Sequence, residues 1–561
     1  MVRPAWNIHG YVRQNAVTIT RSGINPLVAV LLASRGTETP EDARRAIADD
    51  LSLAADPMLL RDMDKAVRRI ARAVERQERT AVYGDYDVDG ITSASLLTAW
   101  LKKQGLDCLT YIPERLDEGY GIKRAGIDYL HSRGVKLIIS TDCGITASDE
   151  AAYAAGLGMD MIITDHHECG RVLPDAVAVV NPKRPDCPYP TKSLAGVGVA
   201  FKLVCACEGS DRLEELLEQY GDLVALGTIA DVMPVPGENR LFIRRGLENI
   251  HTRPRPGIRA LCEAAGLDWR QLSAMNVSYG LAPRINAAGR LSRTELATEL
   301  LQCTDEQRAQ HLAAELCQLN RDRQKLESEM FLQASEMVNS APDGPLVLAS
   351  DRWHQGVSGI VASRLAEKFG VPAIMICVAE GIGKGSCRSV RGFGIYEALS
   401  CCADTLESFG GHEMAAGLTI KSENIPVLAE RLRAIYEKKR DSITESCLEI
   451  DFEVIKPGLL TEENVESLKM LEPYGLENPQ PLLCMSKARV ESIIPLSGGK
   501  HSKLRVNHLG ETYDCVFFSR GPGELGLDQG GLADIAFTPQ INEFRGRRSV
   551  QLLLSDIVPS D

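Results

Sequence analysis

Three short segments each carry an apolar run into acids or histidines: GDYDVDG at 84–90, TDCG at 141–144 and TDHHE at 164–168. A fourth, DLVALGTIADV, closes on Asp231. Asp85, Asp87, Asp89, Asp142, Asp165, His166, His167 and Asp231 together offer hard oxygen ligands with some imidazole nitrogen. That set suits Mg2+ or Mn2+, and the imidazole shifts preference toward Mn2+. The acids of 85–89 fall on every second residue, as a strand end or turn would need to aim several at one point, and Gly90 is expected to let the chain turn tightly. The opening D-x-D-x-D-G also resembles a calcium loop. That reading fails because ITSASLL, which follows Gly90, lacks the glutamate that ends such a loop. Each piece alone is a weak signal, and a lone Asp-His-His serves equally well as a satisfied turn. Their joint arrangement is what points to metal chemistry.

A cluster drawn from distant segments needs a scaffold that converges them. TAVYGDYDVDG, VKLIISTDCG and MDMIITDHHE read as strands separated by helical stretches. Such alternation implies a parallel sheet, whose ligands gather outside the carboxyl ends of its strands. DLVALGTIADV reads as a helix finishing at Asp231, and residues 41–78 read as helices from apolar positions at three- and four-residue spacing. Residues 304–338 almost lack Gly and Pro and keep an apolar stripe, which predicts one long helix connecting two domains. PLVLAS, PAIMICV and GKGSCRSV then read as strands, with helices at GIVASRLAEKF and GIYEALSCCADTLES, a second and smaller α/β unit. Beyond residue 445 the pattern is all-β, with KLRVNHL, TYDCVFF, ADIAFTP and SVQLLLSDI among about five strands parted by Gly-rich turns.

At ~150 residues per domain, 561 residues exceed one core. No apolar run approaches the ~20 residues that span a bilayer, and the start MVRPAWNIHGYVRQNAV lacks a signal-peptide pattern, so a cytoplasmic protein without a membrane partner is expected. Its 16 cysteines include no C-x2-C pair and are expected to be small buried hydrophobes. The formal net charge of -13 weighs mildly against nucleic acid, since Lys and Arg drive phosphate binding by displacing counterions. Carboxylates gathered on metal ions inflate that figure, and a basic groove can coexist with an acidic exterior.

GDYDVDGITS, STDCG, TDHHE and GTIADV resemble the successive motifs of the DHH phosphoesterases. INPLVAVLLASRG, YGDYDVDGITS, YIPERLDEGYG, APRINAAGRL, WHQGVSGIVASRL, KGSCRSV and GGHEMAAG, in this order, resemble the RecJ family within that group over nearly the whole chain. The resemblance implies a parallel-sheet DHH domain, joined by the long helix to a smaller α/β DHHA1 domain and followed by an all-β OB-fold domain. The corresponding boundaries are a helical extension at 1–78 packing on the DHH domain, the DHH domain at 79–300, the connecting helix at 301–340, the DHHA1 domain at 341–444 and the OB fold at 445–561. It further implies a metal-dependent exonuclease acting 5′ to 3′ on single-stranded DNA in recombination and repair, with two Mn2+ or Mg2+ ions. A helicase or single-strand-binding protein would be its protein partner, and the enzyme would be a monomer.

Carried residue by residue, the resemblance makes Asp87, Asp89, Asp142, His166 and Asp231 metal ligands, with Asp142 bridging and Asp85 in close support. His167 would face the scissile phosphate, and Asp165 would orient the histidine pair. Ser386, Arg388, Gly410, Gly411 and His412 would hold substrate phosphates in the second domain. His354 lies in a matched motif beside Trp353, which serves equally as a core aromatic. Arg284, Asn286 and Arg290 would line the strand's route, or else make an inter-domain contact or helix cap, and Arg115, Glu118 and Tyr120 share that ambiguity. In the OB fold, Lys500, Lys503, Arg505, Phe544, Arg545, Arg547 and Arg548 are candidates for a single-strand platform of basic groove and stacking rings. PYGLENPQP departs from the family pattern, with Glu477 where glycine is usual. Two other readings stay open: a phosphodiesterase for short oligonucleotides or cyclic dinucleotides, for which the extra β domain has no use, and a catalytically silent binding scaffold, against which the intact acids and histidine speak.

Overall fold

The computed structural model describes residues 5–114, 119, 121–338, 342–443 and 447–560. Its described residues form two compact units, one drawn from 55–233 and 245–443, the other from 5–54, 234–244 and 447–560. Arg115, Glu118 and Tyr120 lie outside the described residues. Among the described residues, no helix is long and apolar enough to cross a membrane.

The first unit opens with helix α1 (Met63–Arg76), which buries Ala66, Ile70 and Ala73 on one face. A sheet of five parallel strands follows: β1 (Thr80–Gly84), β2 (Cys108–Tyr111), β3 (Leu137–Thr141), β4 (Asp160–Thr164) and β5 (Ala178–Val180). Their spatial order is β2-β1-β3-β4-β5. Every residue of β1 and β3 is buried, which is why these strands read as continuous apolar runs rather than alternating ones. The chain leaves β1 toward one edge and returns at β3 on its other side, so the loops beyond these two strands part and open a crevice. Helix α2 (Val88–Lys103), buried over most of its length, packs on α3 (Gly196–Glu208) and α4 (Leu213–Ala230).

Helix α5 (Ala282–Arg290) leads toward α6 (Glu306–Glu336), whose 31 residues span about 46 Å at the α-helical rise. The far end of α6 puts Met330 and Ala334 into the core of a second sheet. That sheet comprises β6 (Leu346–Ser350), β7 (Ala373–Ala379), β8 (Ile382–Arg388), β9 (Ser408–Gly411) and β10 (Ala415–Lys421), in the order β9-β10-β8-β7-β6. Helix α7 (Gln355–Phe369) follows β6. The stretch expected as one helix from Gly394 is shorter: it ends at Ser400, and after a single turn at Ala403–Thr405 the chain enters β9. Cys402 anchors that change of direction in the core and its carbonyl accepts the Thr405 hydroxyl at 2.7 Å.

In the second unit, β11 (Leu483–Leu496), β12 (His501–His508), β13 (Glu511–Phe517), β14 (Leu532–Phe544) and β15 (Arg547–Pro559) follow the order β11-β12-β13-β15-β14. Pairing of β14 back onto β11 closes the barrel, which removes its open edges. The helices Arg13–Arg21 and Pro26–Ser34 belong to this unit: Ile19, Leu27 and Leu31 share one core with Phe452, Leu504 and Phe537. Strand Ala5–Ile8 also pairs with Cys447–Ile450. Residues 1–78 were expected as one extension on the DHH domain; within it, residues 5–54 share the barrel's unit and core. PLVAVLLAS is apolar on every face and needs burial on more than one side, which it finds among the barrel's residues. Glu477 sits in a turn closed by Gly475 and Asn478 and has φ +61°, the left-handed region where glycine costs least.

Candidate metal centre

Asp85 follows β1 directly, but the acids after it do not continue a strand spacing. The chain enters α2 at once: Asp87 is its N-cap, with Oδ1 accepting the Gly90 N–H at 3.1 Å, and Asp89 lies in the first turn. Gly90 is helical rather than a turn residue. Its glycine is required by close approach, since a Cβ there would overlap the Asp85 backbone. Asp89 is buried and accepts N–H bonds from Gly196 at 2.6 Å and Val197 at 2.8 Å, at the N-terminus of α3, where a carboxylate is favoured. Two further glycines make room. A Cβ on Gly196 would come within 2.7 Å of the Asp142 Cβ, and one on Gly227 within 2.9 Å of Asp89 Oδ1. Sequence reasoning passed over both, although the small-residue runs AGVG and ALGT mark them.

Asp142 follows β3 with φ +59°, a strained conformation for an aspartate, and its N–H donates to the Thr164 carbonyl at 3.0 Å. His166 and His167 follow β4. The Nε2 of His166 lies 3.2 Å from Asp142, 3.5 Å from Asp231 and 3.8 Å from Asp89. Asp231, the C-cap of α4, completes that group, while Asp85, Asp87 and Asp142 bring their oxygens together in another. Asp165 is wholly buried and accepts the N–H of Ile145 at 2.8 Å, those of His166 and His167 at 2.7 and 3.1 Å, and the His167 ring at 2.8 Å. It therefore orients the histidine pair.

Burial, followed by the charges of neighbouring aspartates, raises Asp89 and Asp142 well above the ordinary carboxylate range. Burial and Asp87 raise Asp231 to about 7. Desolvation and the neighbouring His167 push His166 down to about 3, so it is a neutral donor. Burial also opposes charge on His167, but the Asp165 hydrogen bond and charge outweigh it and hold that ring at about 8. Asp165 itself falls below its usual value because those bonds more than offset its burial. Among the described residues, the ion pairs of Asp89, Asp142 and Asp231 are to these histidines alone. The buried Nε2 of His166 and Oδ2 of Asp231 have no hydrogen-bond partner. Converging carboxylates with a neutral imidazole and orphaned donor atoms fit divalent cations.

A cavity of about 260 Å³ holds the centre, lined by Asp85, Asp87, Asp142, His167 and Asp231, with Tyr86, Asn286 and Arg290. Asn286 reaches it from α5 while accepting the Val88 N–H at 3.2 Å, and Arg290 also donates to the Gly356 carbonyl at 3.0 Å. A larger cleft of about 1100 Å³ joins the first sheet's loops to the second sheet, where Ser386, Gly410, Gly411 and His412 line it. Gly410 and Gly411 end β9 and lead through His412 into its antiparallel neighbour β10. Arg284, His354 and Arg388 line neither cavity. Arg284 donates to Gly280, Arg388 to the Cys387 carbonyl, and His354 Nδ1 caps α7 by accepting the Gly356 N–H at 3.1 Å. Trp353 is a core aromatic. In the barrel, Lys503 pairs with Asp514 at 2.9 Å, Arg505 approaches Glu491 at 3.6 Å and Arg548 pairs with Glu466. Phe544 is 65% exposed with the Arg545 guanidinium over its ring, while Lys500 and Arg547 lie on exposed turns and strand ends.

The chain matches the N-terminal domain of the DHH family over residues 79–228, the DHHA1 domain over 343–438 and the RecJ OB domain over 450–556. Fold and site thus define a DHH-type metal-dependent phosphoesterase. The chain is 41% identical to the single-stranded-DNA-specific exonuclease RecJ of Bacillus subtilis, over 96% of its own length and 68% of that protein, and 35% identical to the Escherichia coli RecJ over 95% and 96%. A crystal structure of Thermus thermophilus RecJ in complex with Mn2+ superposes with a TM-score of 0.85, at 30% identity, over 99% of this chain and 80% of that one. The chain belongs to the RecJ family of single-stranded-DNA-specific exonucleases.

Proposed function

We propose that this chain is a metal-dependent exonuclease that hydrolyses single-stranded DNA from its 5′ end, releasing mononucleotides in recombination and repair. The observation that carries the reading is the buried convergence of Asp89, Asp142 and Asp231 on a neutral His166 within 3.8 Å. Asp87, Asp89, Asp142, His166 and Asp231 would hold two Mn2+ or Mg2+ ions, with Asp85 in support. Such a pair, when bound, activates water and steadies both the attacking and the leaving oxygen of a phosphodiester.

The chain's own side chains position the substrate. Asp165 fixes His167 through Nδ1 and favours its protonated form, so the ring faces the phosphate as a cation. Asn286 and Arg290 offer donors to phosphate oxygens inside the smaller cavity. Ser386, Gly410, Gly411 and His412 would receive the strand's phosphates across the larger cleft. Arg388 acts from behind that wall, and Phe544 and Arg545 extend the grip to longer strands. A helicase or single-strand-binding protein delivering the strand to a monomeric enzyme completes the reading, supported by the family relation.

Oligonucleotides labelled separately at each end, digested with Mn2+ and with chelator, test it. Immediate release of labelled mononucleotide from the 5′ end is expected. Early release from the 3′ end overturns the polarity, and hydrolysis that ignores the chelator overturns the metal assignment.

A further inference from the structure

Two residues line both the metal cavity and the larger cleft: His167 and Tyr86. They mark the neck between the spaces. The inner space, about 260 Å³, is walled by Asp85, Asp87, Asp142 and Asp231, a lining that suits cations and a phosphodiester group rather than the apolar face of a base. The outer cleft, about 1100 Å³, has the room that a base and sugar need. A strand whose scissile phosphate reaches the carboxylates must therefore pass the neck, with the nucleoside beyond that phosphate lying outside it.

Resting on the exonuclease reading, we infer that Tyr86 is a positioning residue: its ring is the surface on which the departing nucleotide's base stacks, setting the depth to which the phosphate enters. The placement is built rigidly. Tyr86 sits between Asp85 and the helix-capping Asp87, and its carbonyl meets Gly289 so closely that a Cβ on that glycine would overlap it. His167, the opposite wall, is fixed by Asp165 at 2.8 Å. A ring stack is indifferent to base identity, because every base has a π-face. That suits an enzyme that must release each nucleotide in turn.

The test compares Tyr86→Phe, Tyr86→Leu and wild type in the full chain loaded with Mn2+, on single strands ending in a normal or an abasic nucleotide. Tyr86→Phe should retain kcat/KM within about threefold, whereas Tyr86→Leu should lose about tenfold or more on normal ends. On abasic ends the Tyr86→Leu deficit should vanish. Calorimetry should show a matching loss of deoxymononucleotide affinity with unchanged Mn2+ stoichiometry. An equal deficit on normal and abasic ends, or a Tyr86→Phe variant as weak as Tyr86→Leu, overturns the stacking role, as does altered Mn2+ stoichiometry in both variants. Should wild type fail to hydrolyse either substrate, the exonuclease reading fails instead, and the two failures are thereby separated.

Discussion

With no cation among them, Asp89, Asp142 and Asp231 share a buried site and keep their protons to a higher pH than ordinary aspartates. The sign of the linkage follows. Unfolded aspartates titrate near 3.8, while folded Asp231 holds its proton to about 7, so the folded state binds more protons in between. Stability from these groups is present below pH ~4 and is lost as pH rises toward 7. We expect the metal-free protein to melt earlier at pH 7.5 than at pH 5.5, and saturating Mn2+ to raise the melting temperature more at pH 7.5. An increment independent of pH would count against metal binding by these acids. Asp142→Asn should melt higher than wild type without metal, by about 1 °C for each kcal/mol of repulsion relieved in a unit of this size. Its hydrolysis should fall at least about a hundredfold. The acids and histidines were legible in the sequence because their types, gathered where apolar runs end, point to metal. Gly196 and Gly227 were not, because what makes glycine necessary is contact with Asp142 and Asp89, side chains far off in sequence.

The loop from β1 into α2 shows how much of an element's purpose hides in packing. Alternating acids suggested a strand end, yet the capping bond from Gly90 to Asp87 starts a helix there and turns Asp89 inward to meet α3. Gly90→Ala should therefore cost about 1–3 kcal/mol through overlap with the Asp85 backbone. Mn2+ affinity should fall with it, measurable by calorimetry alongside thermal melts. A variant with wild-type affinity and stability would contradict the close approach. The opposite outcome is expected at Glu477, exposed and at φ +61°. Glu477→Gly should stabilise the barrel unit by about 1 kcal/mol, since left-handed backbone penalises every residue with a Cβ. Urea titration followed by a barrel-specific probe would read it, and destabilisation would refute the strain. That site was half legible: the departure from glycine was visible, the conformation that makes it matter was not.

At the scale of the whole molecule, chain order and compact units do not coincide. Residues 5–54 belong with the barrel although 55–233 intervene before its next segment. Helical spacing was legible only from residue 41 onward, and it carried no information about which core the N-terminal helices join. Deleting everything after residue 446 would strip Ile19, Leu27 and Leu31 of the barrel residues that bury them. The shortened chain should aggregate, as judged by light scattering, and so cannot cleanly test what the barrel does. Point substitutions in the intact chain can. Phe544, 65% exposed beneath the Arg545 guanidinium, offers both a stacking face and a cation at the open hairpin between β14 and β15. The Phe544→Ala, Arg545→Ala double variant should bind long single strands about tenfold more weakly, with a salt slope shallower by about one unit. Cleavage of trinucleotides should be untouched. Lys503→Ala should do less, because Lys503 already pairs with Asp514 at 2.9 Å and releases fewer counterions on meeting a phosphate. Equal loss on short and long strands, or an unchanged salt slope in the double variant, would leave the barrel without a part in gripping the strand.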